Sequence, residues 1–214
     1  MAPLRIALLG STGSIGGQTL EVCAENPSRV EVVALGAGTQ HAALVAQARQ
    51  FGVRHLALAE PSAKSETELP AGSRLEYGAD AMIDLIDRSE PDLVVNAIVG
   101  AAGLATSRRT LELGLPLALA NKESVVIAGE LLTALSVKNS APIIPIDSEH
   151  SALAQCMRAG QREEVRKLIL TASGGPFRGR SRETLHSVTP LEALAHPTWE
   201  MGRRISIDSA TLMN

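Results

Sequence analysis

Residues 4–16, LRIALLGSTGSIG, decide the fold, because a short apolar run leads there into a glycine-rich turn. A helical pattern follows, and a buried strand, a glycine turn and a helix in that order begin a dinucleotide-binding βαβ unit. Gly10 would permit the tight turn, Gly13 would let the backbone approach a pyrophosphate, and Gly16 would allow close packing of the helix on the strand. The spacing is G-x-x-G-x-x-G rather than G-x-G-x-x-G, so a purely structural turn remains the alternative.

Short apolar runs alternate with longer helical patterns through the first two thirds of the chain. Strands are predicted at residues 4–9, 30–35, 55–59, 93–98, 115–120 and 142–146, and helices at residues 18–26, 40–51, 79–88, 106–113 and 123–138. Residues 60–78 contain Pro, Ser, Gly and charged residues and are predicted to be a surface connection with little structure. The alternation predicts an α/β fold, with a doubly wound, Rossmann-like and mostly parallel sheet.

The pattern changes after residue 147. Residues 148–159 are predicted to be helical and residues 167–172 to form a strand, and loops dominate beyond them. We therefore place a domain boundary there, with a cofactor-binding domain over residues 1–147 and the start of an α+β domain over residues 148–214.

Composition and charge narrow the possible partners and location. The net charge is −3 and Lys and Arg are dispersed, so no nucleic-acid partner is expected. No apolar run reaches the roughly 18 residues of a membrane-spanning helix, so no membrane partner is expected. Cys23 and Cys156 lie far apart without metal-ligand spacing, which predicts a reduced, cytoplasmic protein with both thiols as small core residues.

The second predicted strand ends in residues 36–40, GAGTQ. Enzymes that use NAD usually place Asp or Glu here to bind the 2′-hydroxyl of the ribose. Neither is present, so no carboxylate would repel a 2′-phosphate, and NADP is favoured over NAD. No Lys or Arg is present either, which leaves an ordinary strand-to-helix turn open.

Asp147 and Glu149 follow the last predicted strand at the carboxyl edge of the sheet, where open α/β sheets bind ligands. If the chain stays extended there, the two carboxylates converge on one side. Two close carboxylates share a proton or hold a hard divalent cation. The alternative is a helix N-terminus, with Asp147 or Ser148 as the cap and Glu149 in the first turn. Spacing alone leaves both interpretations open.

Three further segments carry polar groups that would suit a ligand. Lys122 follows the preceding strand, where it would hold an anionic or hydroxyl-bearing substrate, or simply pair with Glu123 at a helix start. Residues 173–176, SGGP, would offer hydroxyl and N–H groups to a phosphate or form a plain turn. Residues 196–202, HPTWEMG, form a predicted loop, in which Trp199 either anchors the loop or belongs to a lid that closes over a ligand.

Taken together, six ordered segments closely resemble the 1-deoxy-D-xylulose 5-phosphate reductoisomerase family, the second enzyme of the non-mevalonate isoprenoid pathway. They span the whole chain, and the last three are far more specific than the glycine turn. The segments are GSTGSIG (10–16), NAIVGAAGL (96–104), LANKES (119–124), IDSEHSA (146–152), SGGPFR (173–178) and HPTWEMGRRISIDSATLMN (196–214).

The resemblance implies NADPH as the cofactor and Mg²⁺ or Mn²⁺ as the metal. The residues that it implies for NADPH are Thr12, Gly13, Ser14, Ile15, Gly38, Thr39, Gln40, Asn121, Glu123 and Gly202. Two of the three implied metal carboxylates are Asp147 and Glu149. The implied contacts of the sugar phosphate substrate are Lys122, Ser148 and Glu149 at its sugar end and Ser173, His196, Ser209 and Asn214 around its phosphate, with Trp199 on the closing loop. The implied catalytic residues are Lys122, Asp147, Glu149 and His196.

The implied reaction has two steps. The metal chelates the ketone and a neighbouring hydroxyl of the substrate, which acidifies the hydroxyl and polarises the carbonyl. A carbon–carbon rearrangement gives a branched aldehyde phosphate, and hydride from NADPH reduces it to 2-C-methyl-D-erythritol 4-phosphate. The complete family protein is expected to be a homodimer.

Two departures from the family pattern affect these expectations. Thr39 and Gln40 stand where family members often carry a basic residue or Gly followed by Asn, which weakens the case for 2′-phosphate recognition. In the family, a Lys follows the position of Asn214, and a third metal-binding Glu and a C-terminal helical domain come later. The sequence is therefore expected to be a fragment, inactive by itself.

Two other classes of protein remain as alternatives. A semialdehyde or homoserine dehydrogenase has a similar build, but a semialdehyde dehydrogenase needs a nucleophilic Cys at a sheet edge, and neither Cys is so placed. A dinucleotide-binding sensor would keep the glycine turn but would have no use for the carboxylate pair, the SGGP turn or the Trp loop.

Overall fold

The computed structural model describes residues 2–61, 67–78, 80–200 and 202–211. The chain divides into two compact units, Met1–Asp147 and Ser148–Asn214. Within the described ranges, no helix is long and apolar enough to cross a membrane.

The first unit is built on a seven-stranded sheet in which every neighbouring pair of strands is parallel. The strands are β1 (Leu4–Leu9), β2 (Val30–Ala37), β3 (His55–Leu58), β4 (Arg74–Tyr77), β5 (Leu93–Asn96), β6 (Leu117–Leu119) and β7 (Ile143–Pro145). Their order is β4-β3-β2-β1-β5-β6-β7, so the direction of winding reverses between β1 and β5. Open α/β sheets bind ligands at the carboxyl ends of the strands beside such a reversal. The predicted doubly wound, parallel fold is confirmed.

Among the residues described for the first unit, five helices connect the strands: α1 (Ser14–Glu25), α2 (His41–Phe51), α3 (Ala81–Ser89), α4 (Gly103–Glu112) and α5 (Lys122–Asn139). A short 3₁₀ turn, Gly100–Ala102, precedes α4. Because successive strand side chains point to opposite faces, Leu8 packs with the buried residues of α1 and α2, whereas Leu9 packs with those of α3. Burial of one such leucine side chain stabilises the fold by about 1.5–3 kcal/mol.

The prediction that residues 60–78 lack structure was wrong at their end, because Arg74–Tyr77 forms the edge strand β4. Its sequence, RLEY, has no long apolar run, and two of its four residues are exposed. Arg88 of α3 supplies the missing stabilisation by pairing with Glu76 and donating to the Leu56 carbonyl oxygen at 2.8 Å. An edge strand held by such polar contacts leaves no hydrophobic signal in the sequence.

The second unit contains α6 (Ser148–Met157), α7 (Pro190–Leu194) and α8 (Arg203–Thr211), joined by loops and short 3₁₀ turns. Residues 167–172, predicted to be a strand, are irregular and exposed, and no strand occurs among the residues described for this unit. A strand needs a partner for its N–H and C=O groups, and the described residues of this unit provide none. Cys23 is buried, as predicted, but Cys156 is exposed on α6, so the prediction of a second core thiol was wrong.

Candidate active site

Two glycines of the turn after β1 are required by the protein's own packing. Gly10 has a φ of +83°, and a Cβ built on it would lie 2.5 Å from the carbonyl oxygen of Ala97. A Cβ on Gly16 would overlap the Gly10 carbonyl oxygen and lie 2.6 Å from the Cα of Ser11. Gly16 therefore lets α1 pack against the turn itself, rather than against the strand as the sequence predicted.

Gly13 differs from these two glycines, because it is exposed and has an ordinary φ of −82°. Among the described residues, a Cβ on Gly13 would come within 4 Å of one atom, the Gly10 carbonyl oxygen at 3.3 Å. A larger side chain at Gly13 would therefore project mainly into the space outside the turn. That geometry fits the predicted approach of the backbone to a ligand.

The N-terminus of α1 can receive an anion. The helix begins at Ser14, no side chain of the described chain caps it, and its first turn has no acidic residue. The first N–H groups of a helix lack intrahelical acceptors, and the helix dipole adds positive potential there. Thr12, Gly13, Ser14 and Ile15, the predicted pyrophosphate residues, all lie at this end of α1.

The structure brings the second predicted cofactor segment to the first. Residues 38–40 follow β2 and are exposed, and Gln40 Nε2 donates to the Thr12 carbonyl oxygen at 3.4 Å. One residue that the sequence did not single out also reaches the turn. Gln47 of α2 donates from Nε2 to the Ser11 carbonyl oxygen at 2.9 Å.

Asn121 and Glu123, two further predicted NADPH contacts, tie the start of α5 to the loop after β5. Asn121 is buried, its Nδ2 donates to the carbonyl oxygens of Ile98 and Gly100 at 2.8 Å each, and its Oδ1 accepts the Ser124 N–H at 2.9 Å. Glu123 Oε1 accepts the Gly100 N–H at 3.0 Å. These side chains shape the loop beside the sheet reversal, and their direct contact with a cofactor stays a prediction.

Lys122 and Asp147 form an ion pair at the carboxyl edge of the neighbouring strands β6 and β7. Lys122 Nζ lies 3.5 Å from Asp147 Oδ2, and each side chain is only 15% exposed. The sequence predicted Lys122 as a substrate contact and Asp147 as a metal ligand, but it did not predict that they would pair.

Glu149 belongs to the second unit, in the first turn of α6, where its Oε2 lies 2.5 Å from Ser148 Oγ. Because α6 begins at Ser148, the geometry agrees with the helix-start alternative for this segment. In the described part of the chain, no three His, Cys, Asp or Glu side chains group closely enough to hold a metal ion. The convergence of Asp147 and Glu149 on a metal stays a prediction.

Three predicted phosphate contacts lie together in the second unit. Ser173 Oγ lies 2.7 Å from Ser209 Oγ and 3.0 Å from His196 Nε2, and it also accepts the Gly175 N–H at 3.4 Å. We call Ser173, His196 and Ser209 the hydroxyl–imidazole cluster. Ser173 and Ser209 are 36 residues apart in the sequence, so the fold brings the members of the cluster together.

The hydrogen bonds around His196 determine which ring nitrogen carries the hydrogen in the neutral imidazole. His196 Nδ1 accepts the backbone N–H groups of Thr198 at 3.1 Å and Trp199 at 3.0 Å. A ring nitrogen that accepts carries no proton, so the neutral imidazole holds its proton on Nε2. Nε2 then donates to Ser173, whose own hydroxyl proton is left for Ser209 or a ligand.

The SGGP turn requires both of its glycines. Gly174 and Gly175 have φ values of +82° and +58°, a region that other residues rarely adopt. A Cβ on Gly175 would lie 2.7 Å from the Ser209 carbonyl oxygen of α8. The close approach of turn and helix sets the contact between Ser173 and Ser209.

The remaining predicted residues lie at or beyond the Trp loop. Trp199 is 60% exposed, so in this structure its indole is not packed as a static anchor. Gly202 is exposed immediately before α8, and its carbonyl oxygen accepts the Ser206 N–H at 3.0 Å. Asn214 lies outside the described residues.

The parallel sheet, the glycine turn and the open helix N-terminus define a Rossmann-like protein of the dinucleotide-binding class. The family model of 1-deoxy-D-xylulose 5-phosphate reductoisomerase matches residues 6–129, and the model of that enzyme's C-terminal domain matches residues 143–214. The chain belongs to the 1-deoxy-D-xylulose 5-phosphate reductoisomerase family.

Relatives of the same name agree with this assignment. The chain is 51% identical to the reductoisomerase of Rhodococcus jostii over 213 residues, which cover 99% of this chain and 52% of the relative. It is 50% identical to that of Mycobacterium tuberculosis over 212 residues, which cover 99% of this chain and 50% of the relative. The chain thus spans about half the length of the curated relatives that it matches.

Solved structures of the family share the fold. A crystal structure of DOX-P reductoisomerase in complex with NADPH, fosmidomycin and magnesium has a TM-score of 0.86 at 36% identity, covering 99% of this chain and 55% of that one. The enzyme from Zymomonas mobilis in complex with NADPH has a TM-score of 0.84 at 37% identity, with the same coverage.

Proposed function

We propose that this chain carries the NADPH-binding domain, residues 1–147, and the start of the catalytic domain, residues 148–214, of a metal-dependent reductoisomerase. The reaction converts 1-deoxy-D-xylulose 5-phosphate into 2-C-methyl-D-erythritol 4-phosphate, in the non-mevalonate pathway to isoprenoid precursors. The observation that carries the proposal is the hydroxyl–imidazole cluster in a chain that also has a Rossmann-like glycine turn. A dinucleotide sensor has no use for that cluster.

The first unit fits NADPH. The exposed N-terminus of α1 would bind the pyrophosphate through the N–H groups of residues 12–15, and Gly13 leaves space for its approach. Residues 38–40 would bind the ribose phosphate, where Thr39 and Gln40 offer hydroxyl and amide donors and the segment itself contains no carboxylate. Bound NADPH would supply the hydride for the reduction step and leave as NADP⁺.

The oxygen ligands of Asp147 and Glu149 have the chemistry that Mg²⁺ and Mn²⁺ prefer. The metal would polarise the ketone and acidify a neighbouring hydroxyl of the substrate. Until substrate arrives, Lys122 balances the charge of Asp147 at 3.5 Å. With substrate present, its ammonium group would donate to a substrate oxygen beside that carboxylate, because its three N–H donors are carried on a flexible stem.

The hydroxyl–imidazole cluster would receive the substrate phosphate. His196 fixes Ser173 by donation from Nε2, which frees the Ser173 and Ser209 hydroxyl groups to turn toward phosphate oxygens. Ser148 and Glu149 would contact the sugar end, and Asn214 would add a further contact to the phosphate. Trp199 would cover the bound substrate as part of a closing loop.

NADPH oxidation on addition of 1-deoxy-D-xylulose 5-phosphate and Mg²⁺ tests the proposal in the full-length enzyme. Asp147→Asn and Glu149→Gln should each abolish turnover and leave NADPH binding nearly intact, because both carboxylates serve the substrate. Glu130→Gln, which removes an exposed carboxylate of α5, is the matched control. Activity retained in either variant at saturating Mg²⁺ would contradict the metal assignment.

The same proposal includes a homodimer that acts in the cytoplasm on a small sugar phosphate, with no nucleic-acid or membrane partner. Light scattering of the purified enzyme measures the mass and so tests the dimer. Trp199 fluorescence tests the lid, because closure over NADPH and a substrate analogue should change the environment of an indole that is 60% exposed. An unchanged spectrum would contradict loop closure.

A further inference from the structure

The glycine turn is held by hydrogen bonds from two sides, one to a side chain of α2 and the others to the backbone of the neighbouring strand β2. Gln47 Nε2 donates to the Ser11 carbonyl oxygen at 2.9 Å. Because a carbonyl oxygen can only accept, the amide nitrogen must face it, and this fixes the orientation of the amide. The N–H groups of Gly10 and Ser11 both donate to the Gly36 carbonyl oxygen, at 2.8 and 2.9 Å. The peptide groups on both sides of Ser11 are therefore held.

The hydrogen bond from Gln47 also sets the direction of the next N–H group. In a trans peptide the C=O and the following N–H point in opposite directions, and no cis peptide occurs among the described residues. Since Gln47 draws the Ser11 carbonyl toward α2, the N–H of Thr12 points away from α2. Thr12 begins the segment proposed to bind the pyrophosphate, and Gly13 beside it is exposed.

Packing alone does not explain a glutamine at this position. Gln47 lies one helical turn from Leu44, which is fully buried and apolar. Within the described part of the chain, Gln47 Oε1 and Ser11 Oγ are both buried without a hydrogen-bond partner. A buried, unpaired polar atom lowers the stability of the fold, and an apolar side chain at position 47 would avoid it.

We propose that Gln47 is a positioning residue that orients the glycine turn for the pyrophosphate of the dinucleotide. It acts through Ser11 and the N–H of Thr12 and does not itself touch the cofactor. Removal of its donor would therefore weaken ligands that contain a pyrophosphate and spare those that lack one. This inference rests on the proposed function, because it takes NADPH to be the cofactor.

Titration calorimetry of the full chain with two probes tests the inference. NADPH contains the pyrophosphate, whereas 2′-AMP contains the adenine, ribose and 2′-phosphate alone. Gln47→Met keeps the length of the side chain without its donor, and it should raise the Kd of NADPH by roughly three- to tenfold, the effect of one hydrogen bond. The Kd of 2′-AMP should stay within about twofold of its original value. Gln50→Met, at an exposed position of the same helix, should leave both Kd values unchanged.

The possible outcomes separate this inference from the proposed function. If the original chain binds no NADPH, both are overturned. If it binds NADPH and Gln47→Met binds equally well, the inference alone is overturned. Equal weakening of NADPH and 2′-AMP would assign Gln47 to general packing and also overturn it. Gln47→Glu, which has the same shape but no donor, should weaken NADPH at least as much as Gln47→Met, and unchanged affinity there would contradict the inference independently.

Discussion

In the first unit, the strand residues Leu8, Leu9, Leu35, Leu56 and Leu58 are removed from solvent, whereas in the second unit the apolar residues 168–170 are exposed. Every buried hydrophobic residue of the described chain lies between Ile6 and Ala141. The residues described as buried in the second unit are Gly175, Ser206 and Asp208. The first unit is therefore held by its hydrophobic core, and the described arrangement of the second depends on turns and polar contacts.

Because of this difference, we expect the two units to respond differently to substitution. A close-packed core is destabilised when a substitution removes side-chain volume or strains the backbone, because each buried side chain contacts many others. A cluster of hydrogen bonds on an exposed surface contributes little to stability, since water replaces each bond that is lost. Substitutions in the hydrophobic core of the first unit should then change folding, and substitutions in the exposed hydroxyl–imidazole cluster should change binding of the substrate phosphate with little effect on folding.

The largest effect is expected at Gly10. Gly10→Ala combines a positive φ with overlap of the Ala97 backbone, so it should lower the free energy of unfolding by about 3–5 kcal/mol. Thermal and urea unfolding measure it. The control is Gly17→Ala within α1, where a Cβ meets no atom within 4 Å and helix propensity should add about 0.5–1 kcal/mol. Equal stability of the two variants would show that the turn is not a rigid part of the core.

The next largest effect on stability is expected from a matched pair of leucine substitutions, one in each unit. Leu35→Ala removes a fully buried side chain of β2 and should destabilise the protein by about 3 kcal/mol. Leu168→Ala, in the second unit, removes a side chain that is 56% exposed and should change stability by less than about 0.5 kcal/mol. Urea unfolding of both variants measures the contrast. A loss at Leu168 as large as that at Leu35 would mean that the second unit also depends on a hydrophobic core.

The smallest effect concerns pH. Burial lowers the pKa of His55 at the start of β3, and the positive charges of Arg88 and Arg5 lower it further. In the unfolded chain its pKa is about 6.5, so folding favours the neutral form. The contribution of neutral His55 to the free energy of unfolding is fully present above about pH 6.5. It is lost as the pH falls through the pKa of His55 in the folded protein. His55→Gln should therefore lose less stability than the original chain between about pH 7.5 and 5.5. An identical loss would show that His55 does not titrate with folding.

The sequence predicted the first unit well because its strands are apolar runs bounded by turns. It missed β4, whose RLEY sequence is stabilised by Arg88 and not by an apolar face. It also predicted a strand at residues 167–172, because periodicity reports that a segment is apolar and not whether a partner strand is available. The local pattern of apolar residues was therefore sufficient to predict the strands that the hydrophobic core stabilises.

The residues of the candidate site were predicted from family resemblance, whereas the strands of the first unit were predicted from apolar runs. Family resemblance selected Ser173, His196 and Ser209, but no spacing rule shows that they meet, because the two positive-φ glycines of the SGGP turn bring them together. Gln47 is polar and stands one helical turn from the buried, apolar Leu44, but the sequence pattern does not show that its side chain reaches Ser11. The ion pair of Lys122 with Asp147 needed the adjacency of β6 and β7, which only the strand order supplies.

We expect the first unit to recognise the pyrophosphate of the cofactor and the second unit to recognise the phosphate of the substrate. Calorimetric titration of NADPH into three proteins, the original chain, Gly13→Val and Ser173→Ala, tests this division. Gly13→Val should weaken NADPH binding by about tenfold or more, because the side chain occupies the space of the pyrophosphate, while unfolding changes little. Ser173→Ala should leave the NADPH Kd unchanged. Unaltered binding by Gly13→Val, or equal weakening by Ser173→Ala, would contradict this division between the two units.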